Sequence, residues 1–338
     1  MHFHLIHIPL LRSSDDDATP VYELIAGEAA EAERLGFAGI WVAEHHAGRY
    51  GGVVPAAGVL LAYLAGVTTR LRLGSAVAVL PLRDPRATVE EFAMVDALSG
   101  GRLELGVGRG FMQHEFDALG IPFDERQPRF LAGLEALERG LGAGALDGDG
   151  DGPPVTPRPV QRPVPIWIAV STSLESCRLA GERGYGLMLN PYNRKTEETH
   201  AAIETYLAGR AARGDGLPPR IMVNELLHVA ESEEEAVAGA RDALESYLRG
   251  VHEQFVLRPG LTALRATGFD DLYPDRLLVG TPEFVTGRLD AWRRLGVTDV
   301  CLLTHFGAPP PGQAARSRRL FAERVMPALE RMPTDVVA

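Results

Sequence analysis

Short runs of valine, isoleucine and leucine recur along the chain, each followed by a longer stretch in which apolar residues return every three to four positions. The runs are His4–Leu10, Gly39–Ala43, Leu71–Leu80, Leu103–Val107, Ile166–Val170, Leu187–Leu189, Ile221–Val229 and Val300–Thr304. They are apolar almost throughout, not at alternate positions, which marks strands covered on both faces. The stretches Ala26–Leu35, Arg86–Leu98, Arg126–Leu141, Leu174–Arg183, Glu197–Arg210, Glu233–Leu248, Glu283–Arg294 and Gln313–Val325 keep the 3.6-residue period of an amphipathic helix. Strand–helix alternation predicts a parallel sheet with right-handed crossovers. Eight such units predict a closed (β/α)8 TIM barrel, with an open doubly wound sheet as the alternative.

No linker divides the chain, so one barrel domain over 1–330 and a short tail over 331–338 are expected. The Gly-, Asp- and Pro-rich stretch Gly142–Pro165 reads as a long loop before the fifth strand. A second irregular stretch, 251–278, follows the helix after the seventh strand. It far exceeds the ~2–6 residues usual for loops in α/β units. It mixes Phe255, Leu257, Leu261, Leu264 and Phe269 with Pro259, Gly260 and Gly268. It is expected to be an insertion that acts as a mobile lid, with a fixed helical insertion as the alternative. The opening MHFHLIHIPLLR lacks a basic start and a small-residue cleavage site, so it reads as a strand and not a signal peptide.

The net charge of −11 argues against nucleic acid or an anionic membrane as partner, since both need a basic footprint. No run approaches the ~18–20 apolar residues of a membrane span. Cys177 and Cys301 form no motif, and a cytoplasmic protein without disulfides is expected.

Candidate chemistry gathers at predicted strand ends, where barrel enzymes keep their active sites. Trp41-Val42-Ala43-Glu44-His45-His46 closes the second strand, and its imidazoles and carboxylate could move protons near neutral pH. A polar strand end bonded to loop backbone is the plainer alternative. Gly106, Gly108 and Gly110 let a ligand approach β-strand backbone, and Arg109 among them suits a phosphate. The spacing is not a dinucleotide fingerprint, and Arg109 could equally be a surface ion-pair partner. Ser171-Thr172-Ser173 precedes a helix and offers either an anion site or ordinary capping. Thr281-Pro282 reads as a helix cap. Asp147 to Gly152 resembles the start of a calcium loop, but Arg158 stands where the bidentate glutamate belongs. His2, His4 and His45 lack further ligands at metal spacing, so no metal site is expected. Arg72 and Glu104 each lie two residues before a glycine. If the strands align at Gly74 and Gly106, they form a structural ion pair.

The stretches GFAGIWVAEHH at 36–46, RLRLGSAVAVLPLRDP at 70–85, LSGGRLELGVGRGF at 98–111 and VGTPEFVTGRL at 279–289 together resemble the luciferase-like monooxygenase family. The resemblance implies a (β/α)8 barrel that receives reduced FMN from a separate reductase. It would use O2 through a C4a-peroxyflavin to oxidise a small organic substrate. It implies that His45, with Glu44 beside it, acts near the flavin, and that Arg109 binds the FMN phosphate together with Ser171, Thr172 and Ser173. It places Ser75 and Ala76 at a turn beneath the isoalloxazine ring, which in luciferases contains a non-proline cis peptide. Phe111, Met112, Asn190 and Tyr192 lie just beyond strand ends and are substrate-pocket candidates. A homodimer is expected. Two departures stand out: Ala47 where an aromatic residue is common, and Val170 in place of an acidic residue. A deazaflavin-dependent dehydrogenase of the same superfamily and a non-catalytic flavin-binding partner subunit are the alternatives.

Overall fold

A computed structural model describes residues 1–11, 16–48, 51–143, 154–255, 268–307, 309–310 and 312–333. In chain order the elements are β1 (His2–His7), α1 (Thr19–Leu35), β2 (Gly39–Val42), α2 (Ala57–Val67), β3 (Arg72–Val79), α3 (Pro85–Ser99), β4 (Leu103–Gly108), α4 (Gln113–Ala118) and α5 (Arg126–Glu138). They continue with β5 (Ile166–Val170), α6 (Leu174–Arg183), β6 (Gly186–Leu189), α7 (Thr196–Arg213), β7 (Ile221–Val229) and α8 (Glu233–Phe255). The last are β8 (Leu278–Gly280), α9 (Pro282–Arg294), β9 (Asp299–Leu303), α10 (Gln313–Leu320) and α11 (Met326–Arg331). The architecture is the (β/α)8 barrel that the alternation predicts, with β1–β7 and β9 as its strands. The short β8 was not foreseen; it pairs in parallel with the end of β7, Leu227–Val229.

Contacts sort the chain into two compact units, Leu11–Glu33 with Gly39–Ala169, and Met1–Leu10 with Arg34–Ala38 and Val170–Ala338. In the first, β2, β3, β4 and β5 pair in parallel. Trp41 stands opposite Gly74, where a Cβ would lie 2.1 Å from the indole. Trp167 stands opposite Gly106, and the two indoles meet edge to face at 5.8 Å. A Cβ on Gly106 would lie 2.0 Å from the Ser75 carbonyl oxygen. The bare backbone of β3 and β4 is thus what admits two indoles to one layer. Arg72 and Glu104 do pair, Nη2 to Oε1 at 2.7 Å, but not by the expected alignment. Gly74 faces Glu104, so the two charges are diagonal neighbours that the long arginine stem connects. Glu104 also accepts Trp167 Nε1 at 2.7 Å.

In the second unit β1, β9 and β7 lie side by side, with β6 and β8 also on β7. Phe3 meets Phe321 edge-on at 5.1 Å, and Phe37 stacks on Phe321. On β1, His4 Nε2 lies 2.9 Å from Asp299 Oδ1.

Several boundaries correct the sequence reading. β1 covers His2–His7, not His4–Leu10, because Pro9 has no N–H for a ladder. α1 starts at Thr19, seven residues before the expected Ala26 (26 − 19). α2 was missed altogether: AGVLLAYLAGV has no polar face, and so no helical period to detect. Of the expected lid, 251–255 completes α8 and Phe269–Asp271 forms a 3₁₀ turn, while 256–267 lies outside the described residues. Among the described residues no helix is long and apolar enough to cross a membrane.

Glu225 sits fully buried on β7 and accepts Trp292 Nε1 at 2.8 Å. Burial pushes its carboxyl up to about 7, against the opposing pull of Arg288 and the Trp292 bond. The folded state therefore holds this proton more tightly than the unfolded chain. Its contribution to stability is complete below the unfolded value and is lost as pH rises through about 7. Relative to Glu225→Gln, the parent should lose about 3 kcal/mol of unfolding free energy between pH 4.5 and 8, at ~1.4 kcal/mol per pKa unit. Urea unfolding of both proteins across that range measures it, and parallel pH profiles would contradict it.

Candidate active site

β2 ends at Val42 and runs into Ala43-Glu44-His45-His46 in the first unit. Glu44 is buried, and its Oε2 accepts the Ala57 N–H at 3.1 Å and Arg83 Nη1 at 2.8 Å. Its Oε1 accepts the Val79 N–H at 3.3 Å and lies 3.9 Å from His46 Nε2. Burial alone would raise this carboxyl, but the His46 ring, Arg83 and the Ala57 N–H together hold it below the usual carboxylate value. Both oxygens are engaged, so the structure gives Glu44 the place of a fixed corner. Arg83 continues the chain of charge to Glu91.

His45 is anchored separately. Its Nδ1 lies 3.0 Å from Oε1 of Glu115, and the same oxygen accepts the His46 N–H at 2.9 Å. Glu115 is buried on α4. The same oxygen accepts the His46 N–H, so it faces the imidazole as an acceptor and Nδ1 carries the ring hydrogen. Gly51, at φ 69°, closes the other edge, where a Cβ would lie 2.4 Å from the ring Cδ2. The Phe111 ring meets the imidazole edge-on, with centroids 6.4 Å apart.

Between Ser75 and Ala78 the β3–β4 register breaks, and the Ala76–Val77 peptide is cis. Ser75 is buried, and its Oγ donates to the Gly106 carbonyl at 2.7 Å. Ala76 and Val77 are half-exposed, turned out by the irregularity. Arg109 follows β4, half-buried, with Nη1 donating to Gln127 Oε1 at 2.7 Å. Met112 is buried just before α4. Ala47, at φ 51°, takes the left-handed conformation.

The remaining candidates lie in the second unit. Ser171 and Thr172 are exposed after β5, and Ser173 caps α6 by accepting the Ser176 N–H at 3.2 Å. Asn190 is half-buried after β6 and accepts Asn224 Nδ2 at 2.6 Å. Tyr192 is buried.

His45, Glu44, Phe111, Met112 and Arg109 thus follow the ends of β2 and β4 in one unit, and Ser75 and Ala76 lie within β3, which pairs with both. The sequence reading missed Glu115, Arg83 and Asn224. Nothing in their spacing announces them, because each is defined by a partner 34 to 70 residues away. The donor set fits a phosphorylated cofactor with a flat ring. A guanidinium stands beside β4 glycines whose Cβ atoms would strike Ser75 and Val77, so the strand ends offer backbone and small side chains to a ring.

A family model described as luciferase-like monooxygenase matches residues 1–299. An uncharacterised protein of Sinorhizobium fredii is 39% identical over 168 residues, 48% of this chain and 47% of that one, so the match spans about half that relative's length. The oxygenase component of flavin-dependent trigonelline monooxygenase from Acinetobacter baylyi is 26% identical over 90% of this chain and 89% of its own. The crystal structure of the monooxygenase RslO1 from Streptomyces bottropensis superposes with a TM-score of 0.82 at 28% identity. It covers 97% of this chain and 99% of that one.

Glu115→Leu should remove the acceptor of both His45 Nδ1 and the His46 N–H. The expected loss of stability is about 1–3 kcal/mol, the cost of leaving a buried polar group unsatisfied. Nitrogen-15 NMR of labelled histidine should show the Nδ1–H tautomer in the parent and a mixture in the variant. An unchanged tautomer would show that Glu115 does not set it.

Proposed function

The chain belongs to the luciferase-like monooxygenase family, and from that premise we propose that it is the oxygenase of a two-component flavin system. It binds reduced FMN delivered by a separate reductase and uses O2 to oxidise a small organic substrate. Bound reduced FMN supplies the electrons that activate O2. The observation that carries the reading is the His45–Glu115 pair at the end of β2.

With Nδ1 committed to Glu115, His45 exchanges protons through Nε2. Glu44 positions the histidine segment and does not itself move a proton. Arg109 binds the phosphate, a role that its guanidinium and half-buried place beside the glycines support. Ser171, Thr172 and Ser173 are assigned to phosphate binding on the family resemblance, with Ser173 Oγ also serving α6 as its cap. Ala76 supports the ring, while Ser75 holds the sheet beneath it. Phe111 and Met112 form pocket wall, and Phe111 also limits water at the imidazole. Asn190 and Tyr192 are kept as substrate contacts. Retention of His45 and Arg109 together favours a catalytic subunit over a non-catalytic flavin-binding partner. The named role of the Acinetobacter relative, an oxygenase component, supports a reductase partner, and the two free cysteines support a cytoplasmic location.

A homodimer through α2 and α3 belongs to the same proposal. Val59, Tyr63 and Val67 are exposed along one stripe of α2, an eleven-residue helix without a charge, and Met94 and Leu98 along one stripe of α3. Contiguous apolar stripes on a soluble chain mark an interaction face. At a net charge of −11 two copies repel least where neither is charged.

Anaerobic titration should show that FMN binds more tightly than riboflavin. Arg109→Ala should narrow that preference by about 1.5–3 kcal/mol, the range for hydrogen bonds to charged groups. On admission of O2 the FMNH2 complex should consume oxygen, and His45→Ala should slow turnover by ~10²–10⁴-fold while keeping FMN affinity. Absence of oxygen uptake, with reduction of a deazaflavin instead, would replace the oxygenase reading by the dehydrogenase one.

Sedimentation equilibrium should give a dimer at micromolar concentration, and Val59→Glu with Tyr63→Glu should give a folded monomer. A monomeric parent would remove the dimer from the proposal.

A further inference from the structure

Arg194 lies one residue past the 3₁₀ turn that follows β6, with its N–H donated to the Pro191 carbonyl. It is 5% exposed. Its Nη2 donates to the carbonyl of Val170 at 3.2 Å, while its Nε is buried without an acceptor. Among the described residues no carboxylate stands within ion-pair reach of it. Its charge is felt by Glu198, whose Oε2 accepts the Lys195 N–H at the start of α7, and by the Cys177 thiol. A guanidinium offers five donors in a rigid fork, and a buried cation without a counter-ion is among the least favourable groups a fold can hold.

The position of this cation gives it a use. Val170 is the last residue of β5, and Ser171, Thr172 and Ser173 follow it directly. Cys177 lies in the first turns of α6, so the guanidinium stands against the start of a ten-residue helix. Ser173 occupies the Ser176 N–H, which leaves the N–H groups of Leu174 and Glu175 at the helix end. One full positive charge, two hydroxyl-bearing residues directly after Val170 and a helix N-terminus thus belong to this corner.

We propose that Arg194 is a phosphate ligand of this chain, receiving the terminal phosphate monoester of the flavin at the β5–α6 corner. The proposal deepens the flavin reading above and rests on it. A dianion accepts the unused edge of the fork by charge-assisted hydrogen bonds. It thereby satisfies the donors that Val170 cannot. A clasp that merely ties the loop after β6 to β5 needs only the one bond to Val170 and explains none of the others.

The test compares FMN, riboflavin and inorganic phosphate on the parent, Arg194→Met and Arg194→Lys. Flavin affinity is read by fluorescence quenching, and phosphate by the shift of the thermal midpoint. The expected result is at least a tenfold loss of FMN affinity in Arg194→Met with riboflavin affinity unchanged. Arg194→Lys should fall between, and the phosphate-induced shift of the parent should be lost in Arg194→Met. If Arg194→Met does not fold, the lysine variant and the phosphate shift of the parent decide: an FMN-to-riboflavin ratio in Arg194→Lys equal to the parent's overturns the proposal. An FMN-to-riboflavin affinity ratio in Arg194→Met equal to the parent's overturns it as well. A parent that binds FMN and riboflavin alike instead defeats the flavin-phosphate reading. In that case a phosphate shift abolished in Arg194→Met keeps Arg194 as a site for free phosphate alone, which also overturns the assignment to the flavin.

Discussion

Glu44 takes hydrogen bonds from three places that are distant in sequence: the first N–H of α2 at Ala57, the last residue of β3 at Val79, and Arg83 in the turn before α3. A buried carboxylate without such partners would be protonated or would not be buried. Here the partners hold it charged, and the carboxylate in return fixes where α2 starts and where β3 stops. His45 is the next residue, so the position of the imidazole depends on that corner.

The second anchor, Glu115, divides the labour in a physically sensible way. One oxygen receives both the His45 ring and the His46 backbone, which sets ring orientation and main chain together. Gly51 and Phe111 close the remaining sides of the ring. Two carboxylates adjacent to one histidine therefore do different things, because one has both oxygens occupied by the fold and the other faces the ring.

The second unit shows the opposite treatment of buried charge. Among the described residues Glu225 has the Trp292 indole as its hydrogen-bond partner and a carboxyl raised to about 7, whereas Arg194 meets a carbonyl and no carboxylate. Carboxylic acids can escape a dry site by taking up a proton. An arginine cannot, and the proposal for Arg194 rests on that difference.

The order of strands and helices and the barrel class were legible in the chain because burial on both faces leaves continuous apolar runs, and burial on one face leaves a 3.6-residue period. The family segments also singled out His45, Arg109 and the 171–173 stretch as candidates. α2 escaped because a helix apolar on every side carries no period, and β8 because three residues carry too little pattern. The β3–β4 register went wrong for a related reason. Two glycines suggested an alignment, but Trp41 needed Gly74 beneath it and placed Glu104 there instead. Local pattern depends on which face of a segment is buried, and the sequence by itself determined that much. Which carboxylate meets which histidine, and which arginine is left without one, depends on contacts across 24 to 70 residues. No spacing encodes such contacts, and only the tertiary structure decided them.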